Sequence, residues 1–236
     1  MRPDNTRYDG KFEVPTFDEV LALAKEESRR TGRRIGVYPE TKHPTYFDGI
    51  GLSLEEPLVA ALRRHGLDRP RAAVVIQSFE TSNLRELDTM TPVALVQLVD
   101  SVGAPYDLVA RGDARTYDDL TTPAGLAGVA EYADGIGSNK DRVLPRDPVT
   151  GATGEPSSLV EDAHDAGLVV HVWTLRDENQ FMASNFRRGT DPNAKGDAYA
   201  EAMAFLDAGV DGMFSDHPDT TVAALEDWLA EHDQTA

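Results

Sequence analysis

The segment Tyr38-Pro-Glu-Thr-Lys-His-Pro44 closes a short apolar run and sets Tyr38, Glu40 and Lys42 at alternate positions. In extended backbone alternate side chains share a face, so a phenol, a carboxylate and an ammonium would project together. A hard oxygen ligand beside a cation suits a divalent metal bridging to a phosphoryl oxygen, with the lysine holding a second oxygen. An ordinary ion pair on a strand end is the competing reading of the same two charges. Further polar residues end other apolar runs: Gln77, Gln97, Ser138 with Asn139, Thr174 and Asp216.

Six apolar runs precede those residues: Ile35 to Tyr38, Ala73 to Ser78, Ala94 to Val99, Asp134 to Gly137, Val169 to Leu175 and Gly212 to Asp216. They are short and rich in β-branched and aliphatic side chains, the texture of buried parallel strands. Helical patterns lie between them. Thr16 with Glu19, Ser53 with Glu56, and Ser158 with Glu161 have the spacing of capping boxes, and Gly32, Gly66 and Gly167 stand where each helix should stop. Phe17, Val20, Leu21 and Ala24 form one stripe, Leu58, Ala61 and Leu62 a second, and Val222, Leu225 and Leu229 behind Pro218 a third. Strands alternating with helices imply a parallel sheet, doubly wound or closed as a barrel. No G-x-G-x-x-G or Walker loop is present. Polar residues at the C-terminal ends of several strands favour the barrel.

The chain of 236 residues is 40% apolar, enough for one large core in a single domain spanning residues 1–236. Its 41 acidic and 23 basic residues leave a formal charge of −18, which disfavours nucleic acid and anionic membrane surfaces as partners. No apolar run is long enough to span a bilayer, and the first ten residues lack the apolar centre of a signal peptide. With no cysteine, disulfides and thiolate sites are excluded.

The strings IGVYPETKHP, VVIQSFE, LVQLV, AEYADGIG, LVVHVWTLR and GVDGMFSDHPD, in that order, resemble the glycerophosphodiester phosphodiesterase family, in particular its larger, periplasmic or secreted type. The resemblance runs from about Tyr8 to Leu229. It implies a (β/α)8 TIM barrel that hydrolyses glycerophosphodiesters to glycerol 3-phosphate and an alcohol with a divalent cation, Ca2+ or Mg2+. By position, Glu40 matches a metal-binding carboxylate and Lys42 the lysine on the phosphate. Gln77 and Phe79 match the Q-S-F strand end, Trp173 an aromatic of the substrate pocket, and Phe214 with Asp216 the F-S-D end of the last strand.

In that family the first strand carries H-R-G and the second E-x-D, and two histidines act as acid and base. Neither motif is identified at a strand end here. The six runs would then be strands three to eight of an incomplete barrel, with about 100 residues of it upstream. On this expectation the chain alone is an inactive part of a phosphodiesterase, exported when complete, with a small glycerophosphodiester as its substrate. The alternative is a catalytically dead barrel that binds a phosphodiester or a protein. None of the six histidines is assigned a catalytic role: His171 should be a satisfied interior residue and His43 a solvent-facing one. The acidic stretch Asp113 to Asp119, with Asp107, lacks calcium-loop spacing and should be a solvated loop. The segment 139–156 should shape access to the mouth.

Overall fold

The computed structural model describes residues 3–232. Five strands form one sheet: β1 (Val75–Ser78), β2 (Ala94–Val99), β3 (Gly135–Asn139), β4 (Val169–Leu175) and β5 (Gly212–Ser215). They lie side by side in chain order, every pair parallel. The helices are α1 (Phe17–Thr31), α2 (Pro44–Gly49), α3 (Glu55–Arg64), α4 (Thr81–Met90), α5 (Tyr106–Ala110), α6 (Tyr117–Leu120), α7 (Pro123–Val129), α8 (Lys140–Val143), α9 (Leu159–Asp165), α10 (Ala198–Asp207) and α11 (Pro218–His232). Ile76, Leu95, Ile136, Val170 and Val172 are buried beneath helices, with α4 packed on β1 and β2, α9 on β4 and α11 on β5.

The run expected as a first strand, Ile35 to Tyr38, is extended chain held by two isolated parallel bridges, Val37 to Val74 and Glu40 to Gln77. Its backbone bonds show why. The Val37 amide donates to the Ala73 carbonyl, and the amides of Val75 and Gln77 donate to the carbonyls of Val37 and Pro39. The Thr41 amide then donates to the Gln77 carbonyl. The missing rung falls at Pro39, which has no N–H, so one proline splits a sixth strand into two bridges.

The sheet is strongly curled. Segment 35–41 lies four strand spacings from β4, which in a flat sheet would be about 19 Å. Yet the Tyr38 hydroxyl sits 2.9 Å from His171 Nδ1 on β4, and the Tyr38 ring lies 4.9 Å from that of Phe214 on β5. Such contacts require the two ends of the sheet to bend toward one another, making a curled half-barrel with Tyr38 crossing its interior. Inside, glycines face large side chains. A Cβ on Gly137 would lie 2.5 Å from Leu98 Cδ2, and one on Gly212 would lie 2.8 Å from the His171 ring. Leu98 and His171 occupy the space those glycines vacate, which lets the curved face close up.

Of the capping boxes, Thr16 with Glu19 forms as expected. The other two do not. α3 begins one residue later than its spacing suggested, and Ser53 Oγ donates instead to Asp48 at 2.7 Å. Ser158 adopts helical dihedrals, and its hydroxyl binds Asp162 at 2.8 Å rather than capping α9. Gly32, Gly66 and Gly167 all take positive φ at helix ends. The stripe on α3 is buried, whereas Val222, Leu225 and Leu229 on α11 remain 38–46% exposed. Among the described residues no helix is long and apolar enough to cross a membrane.

The two glycines of β3 should respond differently to a methyl group. An alanine Cβ at Gly137 meets the movable end of Leu98, but at Gly135 it meets the Val169 carbonyl oxygen at 2.6 Å. Each substitution should cost about 1–3 kcal/mol as overpacking, with Gly135→Ala the larger because backbone must move. Denaturant titration should show the lower midpoint for Gly135→Ala at unchanged slope; equal midpoints would contradict this packing.

Candidate functional site

The C-terminal end of the curled sheet holds a cavity of about 280 Å3 lined by Glu40, Lys42, Gln77, Phe79, Leu98, Trp173, Thr174 and Phe214. All six residues singled out in the sequence as binding or metal-ligating meet there, from segment 35–42, β1, β4 and β5 and the turn after β1. Glu40 and Lys42 reach it because the extended backbone around Pro39 keeps them on the side that Tyr38 occupies. Their mount is polar and buried. Thr41, between them, donates through Oγ1 to Asn83 Oδ1 at 2.6 Å, and Ser78 Oγ donates to the Thr41 carbonyl at 3.2 Å. Asn83 in turn donates to Glu55. After Lys42, His43 takes a left-handed conformation (φ 58°), which starts α2 at Pro44. The Thr45 amide and hydroxyl then donate to Glu80.

The wall is aromatic as well as charged. Trp173 and Phe79 meet edge to face at 5.7 Å, and the Trp173 indole N–H donates to the Gly137 carbonyl at 2.8 Å, which fixes its plane. Gln77 is 8% exposed, and among the described residues its Oε1 has no hydrogen-bond partner. A buried acceptor without a donor costs free energy that a ligand hydroxyl would return.

Beneath the cavity His171 is half-buried and bonded to Tyr38, the interior role expected of it. Burial pushes its pKa down, against an opposing pull from Asp211, and burial pushes the Tyr38 phenol up. The phenol therefore keeps its proton beside a neutral imidazole, and the two share a hydrogen bond whose direction follows the imidazole tautomer. The other histidines lie away from the cavity wall. His65 pairs with Asp18, His164 with Asp211, His217 with Asp177, and His232 stacks on Trp228, while His43 is exposed at the start of α2.

Some sequence expectations place differently. Gln97 alternates with Leu98 on β2, so it faces the helices; it is fully buried and accepts a 2.8 Å bond from the Tyr132 hydroxyl. Asp216 leaves the wall to bind Arg176 at 2.9 Å. Asp107 is buried rather than solvated, and its carboxylate accepts from the amides of Thr81 and Ser82 at the start of α4. Asp119 forms a capping box with Thr116, and Asp113 pairs with Arg115 at 2.7 Å, so these acids serve local structure. The triplet Glu86-Leu87-Asp88 has the E-x-D pattern but is helical, within α4. Larger hollows lie between α4 and α7 and along β5 against α11; the first holds none of the six predicted residues and the second only Phe214.

A second cavity, of about 270 Å3, adjoins the first. Trp173 and Thr174 are common to both walls, and the second adds Asn139, Lys140, Asp141, Arg146, Arg176, Gln180 and Phe181. No motif announced it, although the segment 139–156, expected to shape access, supplies four of its residues. Lys140 is buried and held by Glu201 at 2.7 Å; burial drives the lysine pKa down and the carboxyl up, each opposed by the partner's charge.

A curled α/β half-barrel with a charged, aromatic cavity at the C-terminal ends of its strands has the design of a barrel enzyme's binding face. The chain belongs to the Glycerophosphoryl diester phosphodiesterase family, whose sequence signature matches residues 2–220. It is 31% identical over 222 residues to glycerophosphodiester phosphodiesterase GDPD6 of Arabidopsis thaliana, covering 89% of this chain and 55% of that protein. To the glycerophosphodiester phosphodiesterase of Haemophilus influenzae it is 26% identical over 233 residues, covering 91% and 59%. The chain thus spans little more than half the length of these relatives. A solved Silicibacter pomeroyi protein superposes with a TM-score of 0.60 at 19% identity, covering 91% of this chain and 57% of that one. A glycerophosphodiester phosphodiesterase from Parabacteroides distasonis gives 0.54 at 17%, covering 90% and 64%. Both likenesses concern the fold.

The His171 environment yields a pH dependence with a definite sign. The folded protein resists protonation at this ring, whereas the unfolded chain takes a proton near the ordinary value of about 6.5. Stability from this site is therefore complete above about pH 6.5 and is lost as the pH falls through the lowered folded value. The melting temperature followed by circular dichroism from pH 7.5 to 5 should fall less steeply for His171→Gln than for the parent. Parallel curves would mean that the ring titrates freely in the folded state.

Proposed function

We propose that this chain supplies the phosphate-binding part of a metal-dependent glycerophosphodiester hydrolase, an enzyme of lipid and glycerol metabolism that releases glycerol 3-phosphate and an alcohol. The observation that carries the reading is the convergence of Glu40, Lys42, Gln77, Phe79, Trp173 and Phe214 on one small cavity. Lys42 neutralises a phosphoryl oxygen, an interaction that strengthens as negative charge builds up in the transition state. Gln77 offers its unpartnered oxygen to a hydroxyl of the glycerol arm. Phe79, Trp173 and Phe214 exclude water and bracket the carbon chain.

Among the described residues no group of three or more histidine, aspartate or glutamate side chains could hold a metal ion. Calcium and magnesium each want six or more oxygens, so a single wall carboxylate does not by itself fit either ion. Glu40 is assigned as one ligand of such a cation, Ca2+ or Mg2+, whose role in the reaction would be to draw charge from the phosphoryl oxygens. The 236 residues alone should accordingly release no glycerol 3-phosphate. The family resemblance further favours an exported, periplasmic or secreted protein.

The test is hydrolysis of glycerophosphoethanolamine by the product of the longest reading frame containing these residues, with Ca2+, Mg2+ or chelator present. Release of glycerol 3-phosphate should require the metal. Lys42→Met should lower kcat by about 100-fold or more with little change in metal affinity. Glu40→Gln should instead raise the metal concentration needed for half-maximal rate, so that excess metal restores part of the activity. Diester binding without turnover would support the alternative of a catalytically dead, phosphodiester-binding barrel. Full activity of Glu40→Gln would place the site elsewhere.

A further inference from the structure

In a chain with a formal charge of −18, the cavity beyond Trp173 is lined by three cations, Lys140, Arg146 and Arg176, and one anion, Asp141. Two of those cations are already committed. Lys140 is buried against Glu201, and Arg146 spends its nitrogens on Asp141 and on the carbonyls of Phe181 and Met182, at 2.9–3.2 Å. Arg176 differs from both. Among the described residues its single hydrogen bond runs from Nε to Asp216 at 2.9 Å, which anchors the guanidinium and leaves the donors of both terminal nitrogens for a ligand. The group lies over the Phe181 ring at 4.6 Å, and the side chain is 37% exposed, so it is positioned without being sealed off.

We propose that this second cavity is the subsite for the alcohol arm of the diester and that Arg176 selects an alcohol bearing a carboxylate or another oxyanion. The inference rests on the functional reading above. With the phosphate at Lys42 and the glycerol arm against Gln77 in the first cavity, the remaining arm reaches the second cavity by passing Trp173 and Thr174, the wall that the two share. A guanidinium with two uncommitted nitrogens in a plane matches the two oxygens of a carboxylate. The same geometry disfavours a quaternary ammonium. Such a cation would face the like charges of Lys140, Arg146 and Arg176, and one of the aromatic faces it could use, that of Phe181, is already covered by Arg176.

Glycerophosphoserine and glycerophosphoethanolamine differ by one carboxylate and make the decisive pair. With the protein expressed from the same reading frame, kcat/KM for the serine diester should exceed that for the ethanolamine diester by about tenfold or more, the usual worth of a hydrogen bond to a charged group. Arg176→Gln should bring the ratio close to one, mainly through KM for the serine diester, and Arg176→Lys should give an intermediate ratio because it keeps the charge and loses the fork. Turnover of both diesters at equal kcat/KM by the parent, or a ratio unchanged in Arg176→Gln, would overturn the subsite while leaving the hydrolase reading intact. Failure of the parent to hydrolyse either diester would overturn that reading, and the subsite with it.

Discussion

The contact of Tyr38 with His171 and Phe214 is the constraint on which the other arrangements depend. A tyrosine on one edge of a six-membered array can touch β4 and β5, four and five strand spacings away, only if the array bends around it. The bend brings Glu40 and Lys42, carried on the same face as Tyr38, opposite Trp173 and Phe214. Without it these side chains would stand on a broad surface and enclose no cavity. The neutral imidazole matters equally, because a charged ring inside the half-barrel would lack a buried counterion at hydrogen-bonding distance and would oppose closure.

Closure also requires space, and the glycines of β3 and β5 provide it. Leu98 and His171 fill positions where Gly137 and Gly212 have no side chain. A uniform layer of large residues could not be packed on so concave a face. Trp173 is held at the same place, its indole N–H donating to the carbonyl of Gly137, the residue that leaves room for Leu98. The aromatic wall of the cavity and the glycine pattern of the sheet thus arise from one packing solution.

Much of this was legible in the sequence, for reasons that can be stated. Alternation of strand and helix follows from hydrophobic period, and the placement of Glu40 and Lys42 follows from the two-residue repeat of extended chain. Competition among polar side chains was not legible. Ser53 and Ser158 have capping-box spacing, but Asp48 and Asp162 take their hydroxyls. Asp107 looked like part of a solvated acidic stretch because nothing in sequence reveals that its partners are the amides of α4, 25 and 26 residues earlier. The cavity containing Arg176 escaped notice for a similar reason, since its lining comes from three separated stretches of chain. Pro39 was visible, yet its effect depended on which backbone groups faced β1.

The position of Trp173 between the two cavities makes it an optical label in the wall of the binding face. The protein has only two tryptophans, and the other, Trp228, lies on α11, stacked against His232 at 3.9 Å and bonded to Asp207. An indole whose ring edge meets Phe79 and whose neighbours include Lys42, Gln77 and Arg176 will change its emission when water leaves either side of it. With Trp228 replaced by phenylalanine, the remaining tryptophan fluorescence comes from the partition between the two cavities, so occupancy of either one can be followed without chemical turnover or an added dye.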